Sequence, residues 1–250
     1  MPGTSHPDFV IFEDEHLAAV HKPTGIFVHR TDGWDRHLTP LLQTVRKTIG
    51  QRVYTIHRLD RATSGVVLFG KTKEASSELH AMFRERRVKK TYVALVRGYC
   101  DDCGTIEFPL RPRQPNSADK SVPISNVELP EQECCTRYVT NARYELPFKS
   151  TRYDTTRCSL ATLHPETGRW HQIRRHVNRI GHPVIGDTTH GDNTQNRFFR
   201  QQFGLSRLML AATGLSFVHP WTQKEITISC PPSPSFQEIV DRICQWSVRI

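Results

Sequence analysis

The sequence predicts an α+β fold built around one large, mostly antiparallel sheet. Short runs rich in β-branched and aromatic residues recur along the 250 residues, and they read as strands. Stretches with a helical spacing of apolar side chains are few and scattered among them. That mixture of many strands and few helices is the signature of an α+β domain. The chain contains no internal repeat and no low-complexity tract. Its length suits one large domain or two small ones, and we read 1–250 as a single domain.

The elements follow in order. Phe9 to Val20 reads as two short strands around the acidic turn Glu13-Asp14-Glu15. Lys22-Pro23-Thr24-Gly25 is a turn, because Pro fixes φ and Gly supplies the flexible position. From Thr39 to Ile49, the residues Leu41, Leu42, Val45 and Ile49 have helical spacing. Val66 to Phe69 is a short buried strand. Glu74 to Arg87 is a helix with Ala75, Leu79, Met82 and Phe83 on one face and Arg84, Glu85, Arg86 and Arg87 continuing on the other side. Thr91 to Val96 is a strand. Between about Asp101 and Ser150 the pattern weakens, since Pro109, Pro112, Pro115, Pro123 and Pro130 break any helix. We read 101–150 as a loop-rich, partly mobile insertion rather than a linker between domains. Cys158 to Leu163 is again a strand, and Arg169 to Ile180 a helix stopped by Gly181. Leu215 to Val218 and Glu225 to Ser229 flank His219-Pro220-Trp221-Thr222 as a hairpin. Phe236 to Trp246 closes the chain as an amphipathic helix.

Composition excludes some classes of protein. Hydrophobic residues at 37% and charged residues at 24% describe an ordinary globular chain. No run approaches the roughly 18 apolar residues of a membrane-spanning helix, and the first residues show no signal peptide. The expectation is a cytoplasmic protein. A net charge of +9 favours a polyanionic partner, although a basic enzyme with no nucleic-acid role fits the charge alone equally well. The basic loop Arg111-Pro112-Arg113-Gln114-Pro115 is then a candidate RNA contact. Seven cysteines, an odd number, argue against a disulfide framework. Cys100 and Cys103 have zinc-ligand spacing, but Cys134 and Cys135 are adjacent and no suitably placed histidine pair accompanies them. We expect no metal.

The most informative stretch is His57-Arg58-Leu59-Asp60-Arg61-Ala62-Thr63-Ser64-Gly65. Residues two apart in extended chain point the same way, so Arg58 and Asp60 face one side. Alone, such a pair is more often a surface ion pair ahead of a buried strand. Further segments change that balance: Lys22-Pro23-Thr24-Gly25 with Val28-His29; Lys90-Thr91-Tyr92 with Gly98; and Gly168-Arg169-Trp170-His171-Gln172-Ile173-Arg174-Arg175-His176 followed by Gly181-His182-Pro183-Val184-Ile185-Gly186-Asp187; then Arg207-Leu208-Met209-Leu210. Together, in this order, they resemble the motifs of the pseudouridine synthases that modify large-subunit ribosomal RNA and tRNA.

The resemblance implies a single catalytic domain, with a central cleft flanked by helices and loops. It makes Asp60 the catalytic carboxylate, Tyr92 the residue that stacks on the target uracil and takes the C5 proton, and Arg174 the helix arginine that pairs with Asp60. Leu210 closes the uracil pocket, while Arg58, His57 and Lys90 contact RNA, Arg58 filling the space of the extruded base or gripping its phosphate. The implied reaction breaks the N-glycosidic bond, rotates the base and joins C5 to C1′ of the same ribose, so it needs no cofactor. Asp60 would act as a nucleophile at C1′ or a base at C2′, and both remain open. His190-Gly191-Asp192, Gln195-Asn196-Arg197 and Phe203-Gly204-Leu205 point within the family to a tRNA-modifying member acting on a T-stem uridine; the expectation is a monomer without an S4-type module. A ribosomal RNA substrate and a non-catalytic RNA-binding protein of the same fold are the alternatives. Two positions depart from the family pattern, Ala211 where relatives usually have His and Gln223 in place of a turn glycine, and His190-Gly191 stands where relatives usually have Tyr-Gly.

Overall fold

The computed structural model describes residues 9–30, 39–112, 129–149 and 153–248. Among them, β1 (Val10–Glu13) and β2 (Leu17–Lys22) form a hairpin. Asp14 closes its turn by accepting the N–H groups of His16 and Leu17. Next come α1 (Leu41–Ile49), β3 (Tyr54–Thr55), β4 (Ser64–Gly70), α2 (Lys73–Arg84), β5 (Lys89–Arg97), β6 (Cys103–Glu107), β7 (Cys135–Leu146) and β8 (Thr156–Pro165). The chain finishes with α3 (Gln172–Arg179), α4 (Asn193–Phe203), β9 (Leu210–Val218), β10 (Glu225–Ser229), α5 (Pro234–Ile243) and β11 (Ser247–Val248). No helix among the described residues is long and apolar enough to cross a membrane.

The strands make one 11-stranded sheet in the spatial order β1-β2-β4-β9-β5-β8-β7-β11, with β3 on β4, β6 on β7 and β10 on β9. All pairings are antiparallel except that of β4 with β9, a two-residue parallel contact of Ser64 with Ala211 and Gly65 with Ala212. This seam joins two antiparallel halves. A side chain at Gly65, whose φ is +122°, would place its Cβ 1.9 Å from the Ala212 carbonyl oxygen, so the seam requires glycine there.

The strand β4 explains its own sequence. Val66 and Leu68 pack with Leu79 and Met82 of α2, while Val67 and Phe69 pack with Leu41 and Val45 of α1. A strand covered by a helix on each face is apolar at consecutive positions. A larger core lies under β5, β7, β8 and β9, closed by α3, α4 and α5. The helices start and stop for local reasons. Thr72 caps α2 by accepting from the Ala75 N–H, and Asp192 caps α4 by accepting from Thr194 and Gln195. Gly50 and Gly204 end α1 and α4 in the left-handed conformation.

Three of the differences from the sequence expectation bear on the core of the sheet and the site. The expected helix to Arg87 stops at Arg84, because the chain turns through Arg86, whose φ is +60°. The helix expected from Arg169 begins at Gln172. Most of all, the segment expected to be loop-rich supplies β6 and the 12-residue β7. In β7 the inward positions are Thr136, Tyr138 and Thr140, alternating with exposed Arg137, Val139 and Asn141; mixed polarity on both faces hid the period. Pro115 and Pro123 lie outside the described residues. The remaining prolines of this stretch, Pro109, Pro112 and Pro130, sit between strands.

Candidate active site

A cleft of about 620 Å³ opens beside the seam. Asp60, Tyr92, Arg174, Arg58, His57, Leu210 and Lys90 all line it. The seven residues singled out in the sequence, scattered over 154 positions from 57 to 210, therefore meet in one place.

Asp60 lies on the loop between β3 and β4. Its side chain is 27% exposed. The Lys22-Gly25 turn holds this loop from behind. Lys22 is fully buried, and its Nζ donates to the carbonyls of Pro23 at 3.0 Å, Ile26 at 2.8 Å and Arg61 at 3.1 Å. Thr24 donates its hydroxyl to the Ala62 carbonyl at 2.8 Å, and the Gly25 N–H bonds the Arg61 carbonyl at 2.8 Å. Burial pulls the Lys22 ammonium down to about 7; the Asp60 charge works in the other direction and the nearby Arg207 reinforces the drop.

Arg174 projects from the first turn of α3. Its Nη1 lies 3.4 Å from Asp60 Oδ2, while Nε and Nη2 each donate at 2.7 Å to the two carboxylate oxygens of Asp187. Asp187 is the residue the sequence reading passed over, although it closes a motif already quoted. Its Oδ1 also accepts the backbone N–H groups of Thr189 and His190. Burial opposes its ionisation, but the Arg174 hydrogen bonds, with those backbone donors, hold its carboxyl below the usual range. Burial likewise opposes the Arg174 charge, and Asp187 and then Asp60 more than restore it. The arginine is thus locked by one carboxylate and offered to another.

Tyr92 stands on β5 at a bulge in its pairing with β9, opposite Ala212, the residue that meets Gly65 across the seam. Bulges re-aim side chains next to sites. Burial first, and the Asp60 charge second, push the phenol well above its ordinary value, so it keeps its proton. Leu210 opens β9 and is 3% exposed, and Ala211 beside it is buried in the seam. Arg58 is exposed at the cleft mouth.

Two residues expected to contact RNA have partners inside the protein. His57 Nε2 accepts the Leu68 N–H at 3.0 Å, and its ring stacks on Phe83 at 4.6 Å. Burial, then Lys90 and His80, drive its pKa down to about 3, as an acceptor nitrogen requires. Lys90 Nζ donates to the Thr167 carbonyl at 2.8 Å. Both residues shape the cleft wall. His171, also on the wall, has its Nε2 at 3.7 Å from Asp60 Oδ2.

The cysteines do not gather. Cys103 and Cys135 lie at opposite ends of the β6–β7 ladder, and all seven are free. His176 turns away from the cleft to Thr136 and the Phe108 carbonyl. Among the described residues no group of three His, Cys, Asp or Glu side chains could hold a metal ion. A larger cavity of about 1050 Å³ lies at the far end of β5 and α3, lined by Arg97, Arg157 and Gln195. Arg97 and Arg157 there are paired with Asp192 and Glu145, and the cavity lacks the carboxylate, arginine and tyrosine grouping of the cleft.

A carboxylate beside a fixed guanidinium, with a protonated tyrosine and the buried Leu210 lining the same cleft, is the arrangement the sequence motifs imply. The chain belongs to the RNA pseudouridylate synthase family, whose model matches residues 16–179. That span holds Asp60, Tyr92 and Arg174 but stops short of Asp187 and Leu210. Among individual proteins, the chain is 41% identical over 239 residues to tRNA pseudouridine synthase C of Vibrio vulnificus (strain CMCP6), covering 95% of each chain. It is 43% identical over 240 residues to tRNA pseudouridine synthase C of Yersinia pestis, covering 95% of this chain and 91% of that one. The solved structure of human RNA pseudouridylate synthase domain containing 1 superposes with a TM-score of 0.69 at 24% identity over 98% of this chain and 96% of that one, which shows the shared fold.

Proposed function

We propose that this protein isomerises a uridine of tRNA to pseudouridine, working as a monomer in the cytoplasm, with Asp60 as the catalytic carboxylate. The tRNA substrate is supported by the names of the relatives, and the chemistry by the meeting of Asp60, Arg174, Tyr92 and Leu210 in one cleft, the observation that carries the reading. The target nucleotide leaves its stack to enter the cleft. Arg58, at the mouth, takes the vacated space or the phosphate. Inside, Arg174 Nη1 lies 3.4 Å from Asp60 Oδ2 and holds the carboxylate in place to attack C1′ or to remove a proton from C2′. The N1–C1′ bond breaks with its electron pair passing to the base, and the base turns. C5 bonds to C1′ as Asp60 is released from C1′ or returns the C2′ proton. The C5 proton is lost to solvent while N1 takes one up, so no atom is gained or lost. Tyr92 holds the free base by stacking. Its raised phenol favours this platform role over that of a resting base.

Incubating tRNA and ribosomal RNA transcripts with the protein and mapping pseudouridine by carbodiimide tests the reading. A tRNA stop in the T stem supports it. A stop confined to ribosomal RNA overturns the substrate, and none on either overturns the activity.

A further inference from the structure

A pair of histidines beside the reacting carboxylate is not used in the scheme above. His171 precedes α3 with a left-handed backbone, φ 52° and ψ 30°, and its side chain makes no capping bond. Such a conformation is costly for a residue with a side chain and persists only where the surroundings impose it. The ring is turned into the cleft instead. Its Nδ1 lies 2.9 Å from Nε2 of His190, and its Nε2 lies 3.7 Å from Asp60 Oδ2. Trp170 stacks on His171 at 4.1 Å and meets His190 edge-on at 5.8 Å. The backbone N–H of His190 is bound to the same Asp187 oxygen that accepts Arg174 Nη2. One carboxylate therefore positions both the arginine and the histidine pair around Asp60.

Only one proton fits between Nδ1 of His171 and Nε2 of His190. If His171 supplied it, a lone pair on its Nε2 would face the Asp60 carboxylate. If His190 supplies it, His171 carries its other proton on Nε2 and aims a donor at Asp60. An ionised Asp60 selects the second arrangement.

We propose that His190 fixes the tautomer of His171 so that His171 serves as a second donor to ionised Asp60, a positioning residue complementing Arg174. This rests on the isomerase reading above. The gap closes by less than an ångström to become a hydrogen bond, a tightening typical of sites that fill with substrate. Each arrangement holds two protons in the pair. In passing from the first to the second the shared proton moves to His190, whose Nδ1 releases one to solvent while His171 Nε2 takes one up, so no net proton is gained or lost. The charged groups facing the pair are Asp60, Asp187, Arg174 and Arg175. Burial brings His171 down to about 4 and lowers His190 as well, so both rings are neutral at neutral pH, as the shared proton requires. His190 also stands where the family usually has Tyr, so this chain has its own form of the contact.

Two measurements test this. The first is steady-state turnover on a tRNA transcript against pH, for wild type, His171→Phe, His171→Gln and His190→Phe, with thermal melts as folding controls. A hydrogen bond to a charged group supports a loss of roughly 10- to 100-fold in kcat for His171→Phe, with KM little changed and the acid limb moved to higher pH. His171→Gln, which keeps a donor near Nε2, should recover most of this, and His190→Phe should lose less than His171→Phe in the same direction. An unchanged kcat, or a loss with no movement of the acid limb, overturns the proposal. The second is nitrogen-15 NMR of the histidine rings in wild type and Asp60→Ala. It needs neither turnover nor a histidine variant. His171 should carry its proton on Nε2 in wild type and lose that preference in Asp60→Ala; a proton on Nδ1 in wild type overturns the proposal. If wild type modifies no RNA while the NMR result holds, the activity reading fails and the tautomer assignment stands.

Discussion

Asp187 decides where Arg174 can reach. Both carboxylate oxygens hold the guanidinium at 2.7 Å, leaving Nη1 free to face Asp60 at 3.4 Å. Asp187→Asn keeps one acceptor and loses the charge, so Arg174 should swing or slip. A misplacement of about 1 Å can cost about 100-fold, and we expect kcat to fall by about that factor, with a lowered melting temperature because a buried ion pair is broken. Single-turnover kinetics beside a thermal melt would show both; full activity would remove the positioning role. His57 gives a residue-scale prediction in pH. Its folded value is about 3 against an ordinary 6.5, so the unfolded chain binds more protons between those limits. Its contribution is complete above about pH 6.5 and is lost as pH falls toward about 3. Urea midpoints at about pH 7.5 and about pH 4.5 should fall further for wild type than for His57→Gln, which no longer titrates; equal falls would contradict the burial. At this scale the residues that meet in the cleft were legible because each sits inside a compact motif. Asp187 was not read, because an aspartate after glycine looks like a turn until its partner, 13 positions earlier, is placed beside it.

The elements around the site show why some were readable and others hidden. Four apolar residues in a row announced β4, since helices cover both its faces. In β7 threonines and a tyrosine face inward, and composition then gives no period to see. The helix α4 went unread although its signals were present: Asp192 at the cap, Phe199 and Phe203 one turn apart, and Gly204 at the stop. Gln223 does take the left-handed conformation of the glycine it replaces, with φ 55°. The Lys22 turn was read as structural, and its task is now specific. It clamps the Asp60 loop through three carbonyls, which Lys22→Met would leave without that donor. We expect a loss of about 2 kcal/mol or more, measured by denaturant unfolding, and a fall in activity greater than the unfolded fraction explains. A variant of wild-type stability would contradict the clamp.

At the scale of the whole molecule, the sheet is two antiparallel halves meeting at a two-residue parallel seam, and the cleft opens there. Motifs from both ends of the chain converge because β4 and β9, 146 residues apart at Ser64 and Leu210 where each strand begins, lie side by side. The net charge of +9 is expressed at the cleft by exposed Arg58, Arg84 and Arg169. Binding of tRNA should therefore weaken steeply with salt, the logarithm of affinity falling by about 0.7 to 0.9 per phosphate neutralised for each unit of log salt. Arg58→Ala should reduce that slope by about one contact, measurable by filter binding; an unchanged slope would remove Arg58 from the phosphate path.

The most direct test of the central claim, that Asp60 in this cleft isomerises a tRNA uridine, is pseudouridine mapping on unmodified tRNA with wild type and Asp60→Asn, paired with a binding assay. The account predicts a single T-stem pseudouridine with wild type, none with the variant, and nearly equal RNA affinity for the two. Pseudouridine formed by Asp60→Asn at the wild-type rate would contradict it.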